Sequence, residues 1–246
     1  MIKRNPVSCI ETTCLLSVYR SEEIYQEILA IKNRLSMLHA DVLMLLYHFS
    51  RYCDEGIIEI GPHVGGSTIA LAKGLSAESR GKPFITIEIG GRFDHHLPAF
   101  STNDIISDLK TNLKEYHVRH LVDIVEGDSR ESQVIDIVFK KMNKRKADLF
   151  VIDSDGMVLG DISAYTDIMT DDCFFFIDDY LSPGNIEKGN ITKSHVDFLV
   201  ENHFMECLGI YGWGTWIGKR TGRKFPESFN EKNKNIVSLD PSQEER

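Results

Sequence analysis

The sequence predicts an α/β protein with a doubly wound, mostly parallel sheet. Three observations lead there. From Gly56 onward, short apolar runs alternate with stretches of helical period, the pattern of a parallel sheet covered on both faces. Several of those runs stop at an acidic residue, as in Ile87-Glu88 and Ile152-Asp153. The last two runs are joined only by Gly212-Trp213-Gly214, a connection so short that it permits only an antiparallel hairpin.

In order along the chain, Met1 to Arg20 shows no clear period. Ser21-Glu22-Glu23 reads as a helix start, with a capping hydroxyl and two acids on the positive end of the dipole. Ile24, Ile28 and Ile31 form its apolar face, and Leu38, Val42, Leu45 and Leu46 are spaced for a second buried helix. Strands read at 57–60, 84–88, 121–125, 148–152 and 173–177, with helices at about 67–75, 103–115, 132–141, 161–169 and 192–203. The hairpin takes 205–211 and 215–218. Beyond Gly222 the chain turns polar, and Ile236 and Leu239 are the apolar residues that could dock this tail.

The 246 residues suffice for one domain with appendages, and 42% hydrophobic residues suffice for its core. A net charge of −9 argues against a nucleic-acid partner, which leaves a basic footprint. The cluster Lys140-Lys141 to Lys144-Arg145-Lys146 reads as a helix end. The five cysteines show no C-x-x-C and suggest neither zinc nor a disulfide framework. Met1 to Thr13 lacks a signal-peptide core, and Cys173–Ile177 is too short to span a bilayer. The expectation is a soluble cytoplasmic protein with no membrane partner.

The most informative stretch is Ile57-Ile58-Glu59-Ile60-Gly61-Pro62-His63-Val64-Gly65-Gly66-Ser67-Thr68. A strand, a glycine turn and a helix N-terminus aim backbone N–H groups at a ligand. In G-x-G-x-x-G the second glycine admits a pyrophosphate, but His63 stands there. A P-loop needs a lysine before Ser67-Thr68, and Gly66 stands there. A nucleoside without phosphates remains. In a doubly wound sheet, the end of the second strand brings Glu88 beside Gly61, where a carboxylate can accept both hydroxyls of a ribose.

Two more strand ends carry acids, Asp153-Ser154-Asp155 and Asp178-Asp179. Neighbouring parallel strands bring Asp153, Asp178 and Asp179 together on one edge, where they repel unless a cation neutralises them. Oxygen-only ligands select Mg²⁺, or Ca²⁺ or Mn²⁺. Acids just past strand ends also make ordinary turns and caps, and Asp161 and Asp167 read as that kind.

The first-strand segment resembles motif I of class I S-adenosylmethionine-dependent methyltransferases. It is similar to the metal-dependent O-methyltransferase branch (catechol O-methyltransferase-like and macrocin O-methyltransferase-like), which carries E-[IL]-G-x-x-x-G-x-S. Glu59, Gly61, Gly65 or Gly66, and Ser67 match that pattern. The resemblance runs from about Asp54 to Arg220. It implies a seven-stranded Rossmann-like methyltransferase sheet with one antiparallel strand near the C-terminus. The implied organisation is a helical prefix over 1–53 that covers the site or forms a homodimer contact, a cofactor-binding domain over 54–222 and a tail over 223–246. It implies that S-adenosylmethionine is bound by Glu59, Gly61, Pro62, His63, Ser67, Glu88, Asp128, Ser129 and Asp153. Asp128 or Ser129, in Glu126-Gly127-Asp128-Ser129, would meet the adenine. Mg²⁺ would sit on Asp153, Asp178 and Asp179.

The implied reaction is O-methylation of a small hydroxylated molecule, sugar-bearing or a secondary metabolite of natural-product biosynthesis. The sequence departs from the family at the base. Relatives place Lys or His three residues beyond the strand-four Asp, and here that position is Gly156. The candidate bases become Asp155, His63, His95 and His96, with Asp155 first on position and His95-His96 in the loop after Glu88 near the same edge. The alternatives are no base, with a strongly acidified hydroxyl reacting unaided, or lost activity. Trp213, Trp216, Tyr211 and Phe93 either line an acceptor pocket or belong to the core. A hydroxylase-like metalloenzyme on the same scaffold and a non-catalytic nucleoside-binding or dimerising module are the rival readings, because fold alone does not choose among them.

Overall fold

The computed structural model describes residues 4–78, 81–182 and 184–225. The expectation for a polar tail falls largely on 226–246, Ile236 and Leu239 included, outside the described residues.

Three helices, α1 (Cys9–Tyr19), α2 (Glu23–Leu35) and α3 (Ala40–Arg51), precede β1 (Ile57–Ile60). Then follow α4 (Gly66–Ala77), β2 (Phe84–Glu88), α5 (Ile105–Glu115), β3 (Asp123–Glu126), α6 (Ser132–Met142) and β4 (Ala147–Ile152). The chain continues through α7 (Val158–Tyr165), β5 (Met169–Ile177), α8 (Ile186–Glu201), β6 (Met205–Tyr211) and β7 (Thr215–Arg220). The sheet order is β3-β2-β1-β4-β5-β7-β6. β1 pairs in parallel with β2 and β4, and β7 runs antiparallel to both β5 and β6. Six strands therefore point one way and β7 the other. Strand order reverses at β1, with β2 on one side and β4 on the other. In an open sheet, the crevice above such a reversal is where ligands bind.

The period of two in the strands divides the interior into two cores. Ile57, Leu149, Val151, Phe174 and Phe176 face the side of α1–α5, with Leu43, Phe49, Ile69 and Leu109. Ile58, Ile60, Phe150, Ile152, Phe175 and Ile177 face α6–α8, with Val138, Ile162, Val196 and Leu199. Buried on both faces, these strands read as continuous apolar runs.

Several boundaries differ from the sequence expectations. Residues 9–19, read as patternless, form α1, capped by Ser8, whose hydroxyl accepts from the Glu11 N–H. Its buried stripe is Thr12, Leu15, Leu16 and Tyr19, while Ile10 and Val18 are exposed on the outer face and blur the amphipathic signal. Ser21 does not cap α2. Its hydroxyl donates to Val18 O, and Glu22 takes the cap position without a side-chain bond. β5 begins at Met169, where a helix end was expected, and the exposed Asp171-Asp172 lie within the strand. α8 begins at Ile186 rather than Thr192, with Gly189 and Asn190 inside it. Residues 119–121 form a 3₁₀ turn, which moves β3 two residues on.

Candidate active site

Backbone bonds of the sheet continue one step past the strand ends and set the site in a row. The Gly127 N–H donates to Glu88 O, Gly61 to Ile87 O, Asp153 to Ile60 O and Asp178 to Ile152 O, all at 2.9–3.0 Å. Glu88, Gly61, Asp153 and Asp178 thus stand side by side along one rim. Above them opens a cavity of about 860 Å³, lined by all four and by Asp128, Ser129, Asp155 and Asp179. Met37, Leu38 and His39 of the α2–α3 connection close one wall, so the helical prefix reaches the site.

Gly61 makes the row possible. Its φ is +80°, and a Cβ there would lie 1.9 Å from Asp153 O. The first turn and the end of β4 touch backbone to backbone, which only glycine permits. His63 follows with a φ of +51°. Its N–H donates to Glu88 Oε2 at 3.1 Å, and the Gly90 N–H donates to Oε1 at 3.0 Å. Burial raises the Glu88 pKa and these backbone donors oppose the rise. The structure therefore brings Glu88 against the Gly61 turn. Beside it Ile89 is 69% exposed on the cavity wall. His63 Nε2 is buried without a hydrogen-bond partner, and burial lowers the imidazole's pKa toward the neutral ring. An open apolar side chain and an orphaned ring nitrogen beside a diol-sized carboxylate fit a nucleoside.

Three expected cofactor residues lie elsewhere. Glu59, Pro62 and Ser67 do not line the cavity. Side chains alternate along a strand, and Glu59 points beneath the turn. It is fully buried and accepts from Ser67 Oγ at 2.6 Å and Thr68 Oγ1 at 2.7 Å. Burial pushes its carboxyl up to about 7 despite these donors. Glu59 and Ser67 clamp the turn to α4.

After β3, Asp128 reaches the cavity, but the Ser129 hydroxyl turns away and donates to Asp161 Oδ1 at 2.5 Å. Asp161, expected to be an ordinary cap, is fully buried and also accepts from Ser154 Oγ at 3.0 Å. It ties the loop after β3 to the loop after β4, and burial pushes it up to about 6. Arg130 bridges Asp128 (Nε–Oδ1, 3.2 Å) and Asp155 (Nη2–Oδ2, 2.6 Å). Asp155 Oδ1 also accepts from the Met157 N–H at 3.0 Å. The first-choice base therefore has both oxygens engaged. His96 stands exposed on the cavity wall, its ring centroid 4.1 Å from that of His95.

Asp153, Asp178 and Asp179 converge, each offering an oxygen within 4.8 Å of the others. Asp178 Oδ1 accepts from Thr215 Oγ1 at 2.5 Å. Burial, then Asp153, pushes Asp178 up to about 7, and burial likewise raises Asp153. Lys188, from the first turn of α8, places Nζ 3.2 Å from Asp153 Oδ1 and 2.5 Å from Asp179 Oδ2. Burial works against its charge, but the two carboxylates hold its pKa above the ordinary lysine value. Three carboxylates with neither nitrogen nor sulfur donors fit a hard divalent cation, and the ammonium already touches two of them.

Arg130, Thr215 and Lys188 went unread in the sequence, and Asp161 was read only as a cap. Arg130 carried a signal, a cation directly after Gly127-Asp128-Ser129. Lys188 lies 35 positions from Asp153 and carried none. Of the aromatic candidates, Phe93 and the 60% exposed Trp213 line the cavity, whereas Trp216 is core.

A family model described as a methyltransferase domain matches residues 58–180. No curated protein matches the chain by sequence. Among solved structures, the chain is similar to the O-methyltransferase TomG of Streptomyces achromogenes, involved in tomaymycin synthesis and solved with S-adenosylmethionine. Identity is 14%, coverage 89% of this chain and 99% of that one, and the TM-score 0.57. It is similar to the S-adenosylhomocysteine-bound methyltransferase PaMTH1 of Podospora anserina at 14% identity, covering 87% and 88%, with a TM-score of 0.55. It is also similar to an O-methyltransferase of Bacillus cereus in complex with S-adenosylhomocysteine, at 14% identity, covering 85% and 96%, with a TM-score of 0.53. At such identities the likeness is one of fold.

Proposed function

The chain belongs to the methyltransferase-domain family, and from that premise we propose that it transfers the methyl group of S-adenosylmethionine to a hydroxyl of a small molecule, with a divalent cation on its acid cluster. The observation that carries this reading is the row of Glu88, Gly61, Asp153 and Asp178 along one rim of the cavity. One side of the row suits the nucleoside and the other the acceptor.

On the nucleoside side, Glu88 accepts the ribose hydroxyls, in charge-assisted bonds of about 1.5–3 kcal/mol each. Asp128 and the backbone at Ser129 face the adenine. The bare backbone of Gly61 lets the cofactor approach the sheet edge. On the acceptor side, Asp153, Asp178 and Asp179 would hold the cation, which when bound lowers the pKa of an acceptor hydroxyl and fixes its direction. Trp213 and Leu181 give the acceptor an apolar, partly aromatic wall. Arg130 and the Met157 N–H engage both oxygens of Asp155, and His95 and His96, on the cavity wall in the loop after β2, are the remaining imidazole candidates for the base. Methyl transfer is an in-line displacement, so alignment supplies much of its rate.

The test is transfer of labelled methyl from S-adenosylmethionine to a panel of catechols, other phenols and sugar-bearing acceptors, with Mg²⁺ and with chelator. Cation-dependent product supports the reading. Failure of calorimetry to detect cofactor binding contradicts it, and turnover undiminished in chelator removes the cation from it.

A further inference from the structure

Lys188 fills a place that the local sequence leaves bare. Its side chain is 21% exposed, and its ammonium bonds the carboxylates that end β4 and β5. It reaches them by passing Gly156. A Cβ at position 156 would lie 3.1 Å from Lys188 O, 3.1 Å from Thr192 Oγ1 and 3.4 Å from Lys188 Cγ. A side chain at 156 would crowd the first turn of α8 and would be strained at the φ of +90° held there. The position that lacks a local cationic or imidazole side chain is the one against which Lys188 of α8 packs. Asn185 fixes where that lysine starts, its side chain accepting from the Lys188 N–H at 3.1 Å as the helix cap.

The ammonium bonds one oxygen of Asp153 and one of Asp179, two of the three carboxylates that face each other within 4.8 Å. A divalent ion seated among the same carboxylates would stand a few ångströms from Nζ, and like charges at that distance repel strongly in a partly buried site. We propose that Lys188 is the resident counter-cation of this cluster and sets its affinity for divalent metal, competing with the ion for Asp153 and Asp179. The inference rests on reading these three acids as cation ligands. It goes beyond that reading in naming the residue that opposes the cation.

The experiment is a calorimetric titration of the full chain with Mn²⁺ as the probe, comparing wild type with Lys188→Met, Lys188→Gln and Lys188→Arg. The neutral variants bind Mn²⁺ at least about tenfold more tightly than wild type, a difference of about 1.4 kcal/mol. Lys188→Arg, which keeps the charge, stays near wild type. Without metal the neutral variants melt below wild type, because three acids face one another uncompensated, and Mn²⁺ raises their melting temperature more than it raises that of wild type. Lys188→Gln keeps a polar head and carries the same test if Lys188→Met does not fold. Mn²⁺ affinity that is unchanged or weaker in the neutral variants overturns the proposal. S-adenosylmethionine affinity, measured in parallel, separates the two claims: its absence would sink methyl transfer while the Mn²⁺ comparison still decides the role of Lys188.

Discussion

The acid that ends β2 and the acids that end β4 and β5 occupy the same rim but are held by opposite means. Glu88 is held by backbone, the N–H groups of His63 and Gly90. Asp153, Asp178 and Asp179 are held by side chains, the Lys188 ammonium and the Thr215 hydroxyl. Backbone donors are fixed once the turn forms, whatever the neighbouring side chains. Side-chain donors come from other elements and are replaceable. In the function proposed above, the nucleoside half of the site is therefore the part built into the fold, and the acceptor half the part set by substitutable residues.

Substitutions can break this comparison. The largest effect belongs to Asp178→Ala. It cuts turnover by at least about a thousandfold while cofactor affinity stays within about twofold, since only the acceptor half is touched. Steady-state rates and cofactor titration check it, and an equal loss in both would erase the distinction between halves. Gly61→Ala strikes the joint between them. Its Cβ would enter the Asp153 carbonyl at a φ of +80°, so stability drops by about 3–4 kcal/mol, read by denaturant unfolding. A neutral result would mean that the two turns do not touch. Glu88→Ala weakens cofactor binding by roughly 2–4 kcal/mol and leaves Mn²⁺ affinity unchanged, which the two titrations would show.

The smallest effect sharpens the comparison beneath the turn. Glu59 is pushed up to about 7 from an ordinary 4.5, so between those values the folded chain keeps a proton that the unfolded chain releases. Stability therefore falls as pH rises from about 4.5 to about 7 and levels above. Glu59→Gln flattens that fall by ~2 kcal/mol between pH 5 and 7. Asp161, also raised, leaves part of the slope in place. Melting curves at stepped pH measure it, and an unaltered slope would mean that Glu59 is ionised in the fold.

The same contrast governs what could be read in the sequence. β1, β2 and β6 are legible to the residue because apolar runs stop at glycine, acid or a short turn. The convergence of the acids follows from strand order, since parallel strands end on one edge. The burial of Glu59 beneath the turn was illegible because motif position does not say which face a strand residue takes. The ion pair of Asp155 was illegible because its partner Arg130 arrives from another loop. Lys188 could not be read at all, since Gly189 and Asn190 conceal the start of α8. Where a partner is backbone within a turn, sequence suffices. Where it is a side chain across the sheet, packing decides.

A crystal structure of the full chain with S-adenosylhomocysteine tests the central claim most directly. The account predicts the ribose hydroxyls on Glu88, the adenine beside Asp128 and the sulfur turned toward Asp153. A nucleoside seated away from Glu88, or found outside the cavity above the β1 turn, would contradict it.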